Sequence, residues 1–232
     1  MTLPLLLSVP HSGWEVPPEV ADLCVLTEAE IVADGDEGAA EVYLPLETEV
    51  EKLVTTRIAR AIVDQNRAEE DRRKDGVVKT HTCWDVPVYR CPLDDSVVEA
   101  LLEQHHRPYH RLLSQAAKAP VRAGVDCHTM AVVAPPVAPD AGAHRPDACI
   151  GDGHGATCPR EWSAILVSCL SREFDDVRLN EPFSGGYIPR AHAKELPWIQ
   201  LELSRSGAVA NDDKSARVLR ALTHWCEQLG WI

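Results

Sequence analysis

The sequence predicts an α/β fold: three layers, with a mainly parallel or mixed central sheet and helices on both faces. Two observations predict it. Short apolar runs of strand length recur at 3–9, 121–127 and 197–203, as expected of strands buried on both faces. Segments with helical spacing alternate with these runs, and that alternation defines the class. At 232 residues, the chain fits one domain spanning 1–232, large enough to bury a core without staples.

Taken in order, LPLLLSV at 3–9 reads as a buried strand ending at Pro10. Residues 28–34 and 37–45 read as short helices, the first capped by Thr27. LVTTR at 53–57 and RAIVDQ at 60–65 are rich in strand formers. A long helix spans roughly 94–118, with Val98, Leu101, Leu102, Tyr109, Leu112 and Leu113 as its apolar stripe. Asp94 or Asp95 caps it, and Pro108 predicts a kink or break inside it. VRAGVDC at 121–127 reads as a strand running into His128, and 132–158 as a long irregular segment. A helix at 159–172, a strand at 197–203 and an amphipathic helix near 212–229 complete the reading.

The formal net charge of −13 argues against nucleic acid or an anionic membrane as a partner, and leaves a small-molecule substrate. The acidic stretches 28–51 and 68–71 read as a solvated face. None of the eight cysteines stands in a C-x-x-C pair, and several lie within apolar runs. Together with an N-terminus that lacks a basic signal-peptide region, this predicts reduced, mostly buried thiols in a cytoplasmic protein. A homo-oligomer is compatible with this composition.

Three polar clusters accompany the expected strands: His11 in PHSG, Asp126-Cys127-His128, and Glu202 in QLEL. Groups at the carboxyl ends of strands line the ligand crevice of open α/β sheets. A catalytic zinc takes about three His, Asp or Glu ligands, and a nearby carboxylate can take a proton from water. His11 alone also fits a turn cap. Asp126 and His128 share a strand face, so Asp126 can orient the imidazole. Glu202 lies in an apolar run and needs a partner, either a metal-bound water or an arginine.

An ordered series of motifs then resembles the N-formylglutamate amidohydrolase family. It comprises SVPHSG at 8–13, D-x-G-A at 36–39, R-x-x-V-D-x-N-R at 60–67, VPVYRCPL at 86–93 and RPYHRLL at 107–113. DCHTM at 126–130, PFSGGYI at 182–188 and QLELSR at 200–205 follow. The resemblance implies a zinc-exopeptidase-like α/β hydrolase that cleaves an N-acyl amide. Carried over by position, it implies zinc held by His11, His128 and Asp36, with Glu202 as general base. Glu37 and Glu15 rival Asp36 as the carboxylate ligand, and Asp126 stands behind His128. Asn66, Arg67, Arg190 and His192 become substrate contacts, with Arg60 a further candidate. Gly185 and Gly186 would let backbone approach a ligand. The run Asp36-Glu37-Gly38-Ala39-Ala40 departs from the Trp-His-x-Asp stretch of better-known deformylases, which marks a divergent member. The roles of His81, Cys83 and Trp84 stay open.

Two other functions are compatible with these residues. A peptidoglycan-type amidase would share the chemistry and would be separated by muropeptide substrates. A non-catalytic metal-binding module would hold its metal in a shell closed by protein.

Overall fold

Parity along the strands decides which side of the sheet each side chain meets. The computed structural model describes residues 2–135 and 138–232. Its strands are β1 (Leu3–Val9), β2 (Val50–Thr55), β3 (Ala123–Met130), β4 (Ala148–Gly151), β5 (Val177–Leu179) and β6 (Trp198–Ser204). They form one mixed sheet in the order β2-β1-β3-β6-β4-β5. The first four are mutually parallel, while β4 runs antiparallel to β6 and carries β5 parallel to itself.

The helices are α1 (Glu28–Asp34), α2 (Ala39–Tyr43), α3 (Asp95–Leu101), α4 (Arg107–Ala116), α5 (Arg160–Leu170), α6 (Tyr187–His192) and α7 (Asn211–Gln228). The odd-numbered residues Leu5, Leu7, Val125, Cys127, Ile199 and Leu201 enter the main core, shared with α2, α5 and α7. On the opposite face Leu6, Val54 and Trp198 pack against Tyr109 and Leu113 of α4 and Ile188 of α6. Helices therefore cover both faces. Ser8, Asp126, His128, Gln200 and Glu202 share the parity of this second face, and all are buried. The central strands thus bring a row of polar groups into the interior beside an otherwise apolar sheet.

Several expectations meet their structures here. Thr27 caps α1 in a full capping box with Glu30. The long helix is divided: α3 passes through a π-helical turn at Leu102–His106 into α4. That turn lies where the Pro108 ring would otherwise clash with the preceding turn. Asp94 occupies the N-cap position without a side-chain cap bond, and Leu112 faces solvent rather than the core.

Three expectations are corrected. RAIVDQ at 60–65 is not a strand; it forms turns, with a lone bridge from Val63 to Val78. Its Ile62 and Val63 are buried in an apolar cluster with Val77, Val88, Leu101 and Leu102, not in the sheet. The segment 132–158 contains β4, whose ACIG run is too short and uniformly buried to announce itself by periodicity. His128 lies within β3 rather than after it.

Cys127, Cys149, Cys158, Cys169 and Cys226 are buried, and none is disulfide-bonded. Among the described residues no helix is long and apolar enough to cross a membrane.

Candidate active site

The chain leaves β1 at Val9 and turns through PHSG. Gly13 passes so close to the Arg57 backbone that a Cβ there would lie 2.2 Å from its carbonyl carbon. This close passage sets His11 just past the carboxyl end of β1, an interior strand of the sheet. Asp36 follows the end of α1, and its backbone N–H donates to the His11 carbonyl at 3.3 Å. His128 comes from β3, where Tyr43 Oη donates to its carbonyl at 2.9 Å. Glu202 sits directly across from His128 in the β3–β6 register.

These elements converge. One ligand atom each from His11, Asp36 and His128 lies within 4.8 Å of the others. Asp36 Oδ2 is 3.4 Å from His11 Nδ1 and 2.9 Å from His128 Nδ1. Ligands of a tetrahedral zinc, each about 2.0–2.2 Å from the metal, stand about 3.3 Å apart, so the spacing fits.

The outer ring nitrogens are both committed. His11 Nε2 donates to Asp64 Oδ1 at 2.8 Å, and His128 Nε2 donates to Asp126 Oδ2 at 2.9 Å. That leaves the two Nδ1 lone pairs facing the Asp36 carboxylate: three electron-pair donors with no proton of their own to share. A cation satisfies this arrangement, and carboxylate–histidine pairs of this kind orient metal ligands.

A proton serves the same end in part. Burial alone would lower His128, but the charge and hydrogen bond of Asp126, with the Asp36 bond, hold it well above its ordinary 6.5. Burial would raise Asp36, yet His11 and His128 hold it well below the usual carboxylate range. Asp64 behaves alike: burial opposes its charge, but Arg67, His11 and Arg60 keep it ionised. Glu202 goes the other way, raised above its ordinary 4.5 chiefly by burial. Gln200 Nε2 donates to Glu202 Oε1 at 2.7 Å, which leaves the other carboxylate oxygen outside that bond.

His11, Asp36, His128 and Glu202 line a cleft of about 580 Å³, together with Asn66, Arg67, Gln200 and Arg190. The remaining sequence candidates are sorted by their contacts. Asn66 Nδ2 donates to Asp126 Oδ2 at 3.3 Å, and its Oδ1 accepts the Ile188 N–H at 2.8 Å, so its amide ties loops together. Gly186 is needed beside it, since a Cβ there would lie 2.2 Å from the Asn66 amide. Arg67 donates to the carbonyls of Asp75 and Asn66 and lies 3.8 Å from Asp64. Arg60 is held by Asp64 and the Asp34 carbonyl. Arg190 donates only to the Gly185 carbonyl and, among the described residues, has no carboxylate partner.

The structure takes His192 out of the cleft. Its ring nitrogens are engaged by Glu195 and His110, and it lines a separate, shallower depression. Of the rival carboxylates, Glu15 pairs with Arg57, and neither Glu15 nor Glu37 joins the cluster. Sequence reasoning missed Asp64, the partner of His11. Its position inside the R-x-x-V-D-x-N-R motif was the available signal.

Fold and site together define an α/β hydrolase with a two-histidine, one-carboxylate centre and an adjacent buried glutamate. The N-formylglutamate amidohydrolase family model matches residues 3–208, and the chain belongs to that family. A relative named N-formylglutamate deformylase, from Pseudomonas aeruginosa, is 27% identical over 219 residues, 88% of this chain and 81% of that protein. One of the same name from Pseudomonas putida is 28% identical over 223 residues, with the same coverage. The crystal structure of an N-formylglutamate amidohydrolase from Ralstonia eutropha JMP134 has the same fold. Its TM-score is 0.76 at 19% identity, covering 98% of this chain and 93% of that one.

Proposed function

We propose that this chain is a zinc-dependent amidohydrolase that cleaves the amide of an N-formyl or other N-acyl amino acid, with N-formylglutamate the leading substrate. The observation that carries the reading is the convergence of His11, Asp36 and His128 in one cleft with Glu202. The deformylase names of the two Pseudomonas relatives support the substrate class.

His11, Asp36 and His128 would hold the metal. Zinc bound there supplies a Lewis acid that polarises the carbonyl and brings the pKa of water toward neutrality. Glu202 takes a proton from the attacking water through the oxygen that Gln200 leaves open. It then returns that proton to the leaving nitrogen. The water oxygen forms the new bond to the acyl carbon, the C–N bond breaks, and a carboxylic acid and an amino acid leave. Arg190, the cleft arginine that among the described residues has no carboxylate partner, clamps the substrate carboxylate and holds the substrate in the cleft. The buried, unpaired thiols suit a reducing, cytoplasmic setting.

Two variants test the roles. Glu202→Gln is expected to lower kcat on N-formylglutamate by about 10³-fold while keeping its zinc, measured by metal analysis beside steady-state kinetics. Full turnover in that variant would remove Glu202 as base. Arg190→Ala is expected to raise KM about tenfold with little change in kcat, as loss of uniform binding does.

A further inference from the structure

Two histidines one helical turn apart hold the cleft wall from behind. His106 Nε2 donates to the Arg67 carbonyl, and His110 Nε2 donates to the Gln65 carbonyl, each at 3.0 Å. Their four-residue spacing sets both rings on one helix face, with centroids 4.4 Å apart. The two carbonyls flank Asn66, and the same segment carries Asp64. It therefore holds the partner of His11 and the amide that ties to Asp126 behind His128.

The proton count along this chain has one solution for His110. A carbonyl only accepts, so His110 Nε2 carries the hydrogen and Nδ1 of the neutral ring must accept. Facing that Nδ1 at 2.9 Å is His192 Nε2, which must donate. His192 Nδ1 in turn meets Glu195 Oε2 at 2.9 Å. Glu195 is steadied by Ser114, whose Oγ donates to its other oxygen at 2.9 Å, and the His110 and His192 rings lie parallel within 5°, edge to edge with centroids 5.2 Å apart. Burial, with His106 and His192 nearby, pushes His110 down to about 3, which keeps it neutral. Every bond from His192 Nε2 to the Gln65 carbonyl thus has a fixed direction.

We propose that His110, locked by the His192–Glu195 pair, is a positioning residue that fixes segment 64–67 and through it the orientation of both zinc-holding histidines. The proposal rests on the zinc reading given above. It assigns His192 to the support of the site rather than to substrate contact. A shift of the Gln65 carbonyl moves Asp64 away from His11 and Asn66 away from Asp126 together.

The test is zinc affinity, by competition with a chromogenic chelator, alongside kcat and KM on N-formylglutamate at saturating zinc. His110→Phe keeps a ring against Tyr187 but removes both hydrogen bonds. It is expected to bind zinc about tenfold more weakly, at the low end for loss of a direct partner of a ligand, and to lower kcat with KM unchanged. Glu195→Gln, at a partly exposed position that tolerates change, is expected to weaken zinc binding about threefold in the same direction. Wild-type zinc affinity and kcat in both variants would overturn the proposal and leave the histidines as packing. A wild-type chain that binds no zinc would overturn the zinc reading itself, and this proposal with it. The wild-type titration separates those two failures.

Discussion

The two histidines of the site are oriented alike but by different means. His128 is held by Asp126, two residues earlier on the same strand, whose other bonds go to the neutral groups of Ser8 and Asn66. His11 is held by Asp64, which comes from a turn 53 positions away and sits within reach of Arg60, Arg67 and Lys79. One arm is built by strand geometry; the other is embedded in a buried charge network. Removing the carboxylate should therefore harm the two arms in different ways.

The largest contrast is expected from Asp64→Asn against Asp126→Asn. Both are expected to weaken zinc binding by about 10–100-fold, as loss of a ligand's outer partner does. Asp64→Asn leaves Arg60, Arg67 and Lys79, with charges they cannot shed, short of a counter-charge, so it is also expected to lose about 3 kcal/mol of metal-free stability in urea unfolding. Asp126→Asn strips only His128, whose ring can give up its proton, and should lose less. Equal stability losses in the two variants would remove the distinction between the arms.

A smaller effect appears with pH. Asp64 is depressed in the folded state, so its stabilisation is present above the unfolded value of about 3.9 and lost as pH falls through the folded value. Metal-free wild type and Asp64→Asn are therefore expected to converge in stability in acid. His128 has the opposite sign. Its raised pKa means that a ring proton must leave before metal enters, so apparent zinc affinity should climb as pH rises toward that pKa.

The same contrast explains what the sequence could reveal. Asp126 beside His128 was readable because a strand repeats every two residues, which puts both on one face. Asp64 was not, because its partnership depends on how a turn is folded back against the loop after β1. The apolar runs of β1, β3 and β6 and the capping box of α1 announce themselves locally. RAIVDQ misled because its Ile62 and Val63 are buried in an apolar cluster beside the helices instead of in the sheet. The four-residue β4 and the three-residue β5 are too short for periodicity to register. His192 was placed near the chemistry by its motif neighbours. Only the three-dimensional contacts with His110 and Glu195 turn it away from the cleft.

The central claim is that His11, Asp36 and His128 hold a zinc ion on which amide hydrolysis depends. The most direct measurement is release of formate from N-formylglutamate by chelator-treated protein, before and after titration with zinc. Activity is expected to vanish on treatment and to return in proportion to zinc, saturating at a single equivalent per chain. Full activity in verified metal-free protein would contradict the claim.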